Sequence, residues 1–140
     1  MPIVQWNINF LLGIREIDQH HQHLVQLLND TYDEFREKAV IDPSLIGKLL
    51  DYAGYHFAFE EKLMKQVSYP GFAEHKEEHD SFASRIAEIQ KVYKQKESIS
   101  VELIWFLCNW ITHHIRETDA EFGRYVDVHK IQKRMSKAIN

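Results

Sequence analysis

Ala53-Gly54-Tyr55-His56-Phe57-Ala58-Phe59-Glu60-Glu61-Lys62-Leu63-Met64 is the stretch on which the reading of the fold turns. Ala53, Phe57 and Met64, with Leu45 and Leu49 upstream, recur on a helical period and define one apolar face. His56 and Glu60 stand one turn apart on that same face. A buried stripe interrupted by an imidazole and a carboxylate calls for helices packed around a polar centre, not around an oily core alone.

Working outward, the same pattern recurs. An arm over about residues 1–16 carries Trp6, Phe10 and Leu11 and is expected to lie across the bundle. A first helix opens near Asp18, an N-cap type, with Ile14, Ile17, Leu24, Val25, Leu28, Tyr32 and Phe35 on its stripe. Val40 to Ser44 breaks it, and Pro43 suits the first position of the second helix. Tyr69-Pro70-Gly71 is a turn signal. The third helix shows Phe72, Phe82, Ile86, Ile89 and Tyr93 in register. Polar residues 94–98 follow, and Ser98 or Ser100 is placed to cap a fourth helix through Val101, Ile104, Leu107, Ile111 and Ile115. Short connections between long helices give an all-α, up-down-up-down antiparallel four-helix bundle. A short, weakly attached C-terminal helix is expected over about 124–138.

The 140 residues suit one domain over 1–140, with its core at about 14–122. Seventeen Lys and Arg against 21 Asp and Glu leave a net charge of −4, which argues against nucleic acid or an anionic membrane as partner. No apolar stretch approaches the roughly 18–20 residues that span a bilayer. A single cysteine, Cys108, rules out a disulfide framework, so a cytoplasmic, reducing compartment is expected, and Cys108 reads as a small buried hydrophobe. Five Gly and three Pro fit a helical chain, but nine His need their own explanation.

Filling the gaps in each stripe supplies it. His21 sits between Ile17 and Leu24, His56 and Glu60 lie on the second stripe, His75 and His79 lie between Phe72 and Phe82, and His114 follows Leu107 and Ile111. Burying an unpaired polar group costs about 1–3 kcal/mol, and six such losses rival the whole stability of a domain, about 5–15 kcal/mol. A metal is the simplest common partner. Imidazoles and carboxylates without thiolate fit iron, manganese or zinc, and the ligands are too many for one tetrahedral zinc. A two-metal, carboxylate-bridged site uses them all.

Four motifs together resemble the hemerythrin family: Ile17-Asp18 with His21, His56-Phe57 with Glu60-Glu61, Tyr69-Pro70 ahead of His75 and His79, and Trp110 with His114-Ile115 and Asp119. The similarity spans about residues 6–122 and is greatest to the single-domain bacterial members. It implies two iron ions joined by an oxo or hydroxo bridge. His75, His79 and His114 would hold one iron, His21 and His56 the other, with Glu60 and Asp119 bridging. One coordination position would then stay open on the His21/His56 iron, where dioxygen would bind reversibly. The implied role is storage, delivery or scavenging of dioxygen by a monomer that is not an enzyme, with a protein acceptor of dioxygen as a further partner. The alternative is an oxygen or redox sensor, an iron store or a nitric-oxide binder.

Two spacings stand out. His114 and Asp119 are five apart, about 140° round an ideal α-helix, so a π-bulge is expected there; His113 with Glu117, or Thr118 below His114, are the regular-helix alternatives. The family's usual Gln before the first ligand is replaced by His20, and His20 and His23 compete with His21 for the ligand role. Only His21 shares the stripe, so His20, His23, His113 and His129 are read as solvated. The expected dioxygen pocket is apolar, with Leu24, Phe57, Trp110 and Ile111 as walls; Val25, Leu28 and Leu107 are further candidates. A ferritin-like site needs Glu three residues before His, which occurs nowhere in the chain. His75-Lys76-Glu77-Glu78-His79 has the inverted zinc-protease form with Glu78 as base, but it leaves His21, His56 and His114 unexplained.

Overall fold

The computed structural model describes residues 3–38, 43–93 and 100–129. Four long helical columns make the expected up-down-up-down bundle: α1 (Arg15–Lys38), α2 (Pro43–Gln66), α3 (Phe72–Tyr93) and α4 (Ser100–His113). The fourth column continues through a π-helical turn, His114–Asp119, into α5 (Ala120–His129). Each column packs on its chain neighbours, and α4 closes back on α1. Pro43 opens α2 as expected, whereas the 40–42 break, the Ser98 cap and residues 130–138 of the tail fall outside the described residues.

The chain enters α1 differently from the sequence reading. Asp18 is not the N-cap but lies within the first turn of a helix that starts at Arg15. Its carboxylate accepts the backbone N–H of Leu12 at 2.8 Å and of Gly13 at 3.1 Å, clamping the incoming arm to the positive end of the helix. Val4 and Phe10 anchor the arm in the core, while Leu11 is exposed; Leu12 packs inward in its place. At the other end of α2, Tyr69 N–H reaches Met64 O at 2.9 Å and Ser68 N–H reaches Lys65 O at 3.1 Å. That is a Schellman termination with Ser68 at the left-handed position, φ 54°. Ser68→Gly should therefore raise stability by about 1 kcal/mol, read as a higher urea midpoint at unchanged slope; an unchanged or lower midpoint would contradict the assignment.

Two apolar clusters fill the bundle. One joins Leu24, Leu28, Leu49, Ala53, Phe82, Ile86, Leu107 and Ile111; the other joins Ile14, Ile17, Leu63, Met64, Tyr69, Phe122 and Val126. The inward His, Glu and Asp residues of the four columns lie between members of these two clusters in sequence, so they form a polar layer sandwiched by oil. Two expected core positions differ. Leu45 is half-buried and Ile46 takes the deep place. Val101 lies about 120° from Leu107 on a helix wheel, so it faces outward, and Leu103 is buried instead. The C-terminal helix starts at Ala120, with Phe122 and Val126 completely buried, so its described part is firmly attached.

Candidate metal centre

All seven sequence-derived site residues meet in the polar layer and all are buried: His21 from α1, His56 and Glu60 from α2, His75 and His79 from α3, His114 and Asp119 from the π-turn. The π-turn decides the last pair. Its wider winding brings residues five apart onto one face, and the spacing that an α-helix would splay becomes convergent. His113 and Glu117, the regular-helix alternative, pair with each other at 3.4 Å on the surface.

The carboxylates sort the imidazoles into two sets. Glu60 Oε1 lies 3.2 Å from His79 Nε2 and 3.5 Å from His75 Nε2, and Asp119 Oδ1 lies 2.8 Å from His75 Nε2 and 3.1 Å from His114 Nε2. Their other oxygens face the remaining pair: Glu60 Oε2 is 3.2 Å from His56 Nε2 and 3.5 Å from His21 Nε2, and Asp119 Oδ2 is 2.9 Å from His21 Nε2. Nε2 of His21 and of His56 stand 3.0 Å apart, as do those of His79 and His114. Two ligand groups result, three His and two His, sharing both carboxylates.

Hydrogen bonding alone does not satisfy these atoms. Both oxygens of Glu60, both of Asp119 and both ring nitrogens of His75 have no hydrogen-bond partner among the described residues. They are close to one another but aimed at common points rather than at each other. An octahedral ion with bonds of about 2.1 Å spaces its adjacent ligands about 3.0 Å apart, which is the spacing found. The donor set fits two hard or borderline divalent ions such as iron.

Electrostatics show how the protein holds so many donors without metal. Burial opposes charge on every group here, yet Asp119 and Glu60 raise His21 and His75 to about 9, and Asp119 with Glu78 raises His114 to about 10. Burial likewise opposes ionisation of Glu60 and Asp119, but the imidazoles, His56 and His21 at Glu60 and His114 and His21 at Asp119, hold both well below the usual carboxylate range. Burial lowers His56. With no ion bound, the raised imidazoles would carry the protons that balance the two carboxylates.

An outer ring of contacts orients the ligands, and the sequence reading did not assign it. His79 Nδ1 donates to Glu61 Oε2 at 2.9 Å, and His114 Nδ1 donates to Glu78 Oε1 at 2.9 Å. Thr118 Oγ1 donates to the same Glu78 carboxylate at 2.7 and 2.8 Å. Glu78 is thus an acceptor for a ligand from α3's neighbour, not a hydrolytic base. A carboxylate on Nδ1 fixes the tautomer that leaves Nε2 bare toward a metal. His20 Nδ1 lies 3.0 Å from His56 Nδ1, so His20 is half-buried, not solvated, and burial, followed by the charges of His56 and His21, pushes it down to about 4. His23, His113 and His129 are exposed as expected. The doubled His20-His21 was the available signal for this contact.

Beside His21 and His56 lies a small cavity, about 10 Å³ for the centre of a water-sized guest. Leu24, Phe57, Trp110 and Ile111 all line it, with Ala53, Phe82 and Ile115, and His114 and Asp119 also reach it. Val25, Leu28 and Leu107 belong to the core above it. Phe57 stacks on His79 at 4.0 Å between ring centres and Trp110 on His114 at 4.5 Å, so the walls also brace the ligands. Cys108 is half-buried and its thiol is raised by burial, away from the donor groups.

Comparison with known proteins agrees with this geometry. Residues 12–126 match the family model of the hemerythrin HHE cation binding domain. A bacteriohemerythrin of Stenotrophomonas maltophilia is 34% identical over 131 residues, covering 92% of this chain and 85% of that protein. Another, from Clostridium acetobutylicum, is 31% identical, covering 84% of this chain and 96% of its own. A crystal structure of hemerythrin with a leucine-to-alanine substitution superposes with a TM-score of 0.73 at 27% identity, covering 89% of this chain and 97% of that one. No helix among the described residues is long and apolar enough to cross a membrane. The chain belongs to the hemerythrin family, whose members bind dioxygen at a di-iron centre, and it carries a His/Glu/Asp cluster suited to hold one.

Proposed function

We propose that this single-domain chain binds dioxygen reversibly, for storage, delivery or scavenging, and does not turn over a substrate. His75, His79 and His114 would hold one iron and His21 and His56 the other, with Glu60 and Asp119 shared between them. Iron, when bound, supplies the electrons and the open coordination position that dioxygen binding needs. The observation that carries the reading is the cavity: it touches both imidazoles of the two-His group, with His114 and Asp119 at its edge, has room for about one small guest, and is otherwise walled by apolar and aromatic side chains.

The chain's own part follows from those walls. Leu24, Phe57 and Ile111 give water no hydrogen-bond partner and offer no proton, so reduced oxygen has no easy exit as an acid. Glu60 and Asp119 neutralise the centre from both sides, while Glu61 and Glu78 hold two ligand rings in place. An organic substrate finds no room at this position, which favours a carrier over an enzyme.

The test is direct. Protein loaded with iron and reduced without air should take up one dioxygen for every two irons, release it under vacuum or argon, and yield no product over repeated cycles. One metal per chain, or irreversible oxidation at the first exposure, would remove the proposal.

A further inference from the structure

Three ligand imidazoles are held at Nδ1 by protein groups, and they are not held alike. His79 and His114 donate to carboxylates, Glu61 and Glu78. His56 instead faces another imidazole, His20, with 3.0 Å between their Nδ1 atoms. His21 Nδ1 and His75 Nδ1 have no hydrogen-bond partner among the described residues. Both carboxylate-held rings belong to the three-His group, and the imidazole-held ring belongs to the two-His group.

The protons can be placed. If His56 turns a bare Nε2 to the metal, its single proton sits on Nδ1 and must be donated. His20 then accepts with its own Nδ1 lone pair and carries its one proton on Nε2, which makes it a neutral ring. Packing fixes that ring: Phe59 lies 4.7 Å away, Tyr55 5.2 Å and Tyr52 5.8 Å between ring centres. Anionic acceptors make an imidazole a stronger donor to its metal, and a neutral acceptor does so less.

We infer that His20 is a positioning residue for the di-iron centre: its Nδ1 fixes His56 on the metal of the two-His group and leaves that metal less electron-rich than its neighbour. The inference rests on the di-iron reading above. It assigns the unequal outer contacts a purpose: the metal of the two-His group, both of whose imidazoles touch the cavity, is the one more easily kept in its lower charge state, in which it can give electrons to dioxygen.

Anaerobic titration of the metal-free protein with Fe(II) against a competing chelator, followed by spectroelectrochemistry, tests it. In His20→Leu the second iron should bind 10- to 100-fold more weakly, with the first unchanged. His20→Gln restores an acceptor and should return affinity to within a few-fold of the parent. His20→Glu should keep both irons and favour the ferric state about tenfold, a potential about 59 mV lower for one electron. Parent-like affinity in His20→Leu overturns the inference, as does His20→Gln binding as weakly as His20→Leu or an unchanged potential in His20→Glu. If His20→Leu fails to fold, the glutamine and glutamate variants still decide it. One iron per chain in the parent protein overturns the di-iron reading itself, whereas two irons with no effect at His20 overturns only this role.

Discussion

Metal-free protein should lose several kcal/mol of stability between pH 6.5 and pH 10, and the iron-loaded protein should not. His21 and His75 are raised to about 9 and His114 to about 10 in the folded chain, against about 6.5 unfolded. A raised imidazole contributes its stability in full below about 6.5 and loses it as pH climbs through the folded value. Each tenfold preference for the protonated form is worth about 1.4 kcal/mol, and three coupled groups share the loss unequally. On the acid side, Glu60 and Asp119 are held low, so their contribution exists above about pH 4 and fades as pH falls. His20 and His56 are lowered, which also disfavours the fold in acid. The metal-free optimum should therefore sit near pH 6.5. Metal needs bare Nε2 atoms, so loading releases protons, strengthens as pH rises and removes the alkaline loss. Urea unfolding of both forms at pH 6.5 and 9.5 reads this out; metal-free stability that is flat or rising over that range would refute the electrostatic account.

The second large effect concerns the cavity wall. Ile111→Asn should speed autoxidation tenfold or more while both irons remain bound. Ile111 is buried three residues before His114 and lines the cavity beside His21 and His56. An amide there offers a hydrogen-bond donor and a foothold for water where the isoleucine offers neither. Water admitted there would supply the proton that the native isoleucine withholds, and a tenfold faster oxidation corresponds to only about 1.4 kcal/mol of barrier. The buried amide should also cost about 1–3 kcal/mol of stability. Ile111→Val enlarges the cavity without adding a donor, so its autoxidation should stay within a few-fold of the parent. Equal acceleration in both variants would make space, not polarity, the cause; no acceleration in either would take Ile111 out of the pocket.

Helical period carried most of the fold. Ile17, His21, Leu24 and Leu28 form one stripe in sequence and one buried face in the bundle, because a single helix wheel needs no knowledge of its neighbours. The same arithmetic put His56, Glu60, His75, His79 and His114 inside. It failed at helix ends, where the wheel is not the deciding constraint: Asp18 clamps the arm rather than capping α1, and Val101 turns outward. The five-residue step from His114 to Asp119 was legible only as an anomaly, which the π-turn explains.

What the sequence determined by itself is the donor inventory and its inward register, since residue type and a period of 3.6 are local properties. The partition of those donors, which the family resemblance implied and no helix wheel could give, is a matter of tertiary structure, as are the outer contacts that hold them. Glu60 and Asp119 each turn one oxygen to the three-His group and the other to the two-His group, and His20, Glu61 and Glu78 reach ligands 18 to 36 residues away. Those pairings depend on how one column is rotated and staggered against the next, which packing of the apolar clusters above and below the polar layer sets and no single helix encodes.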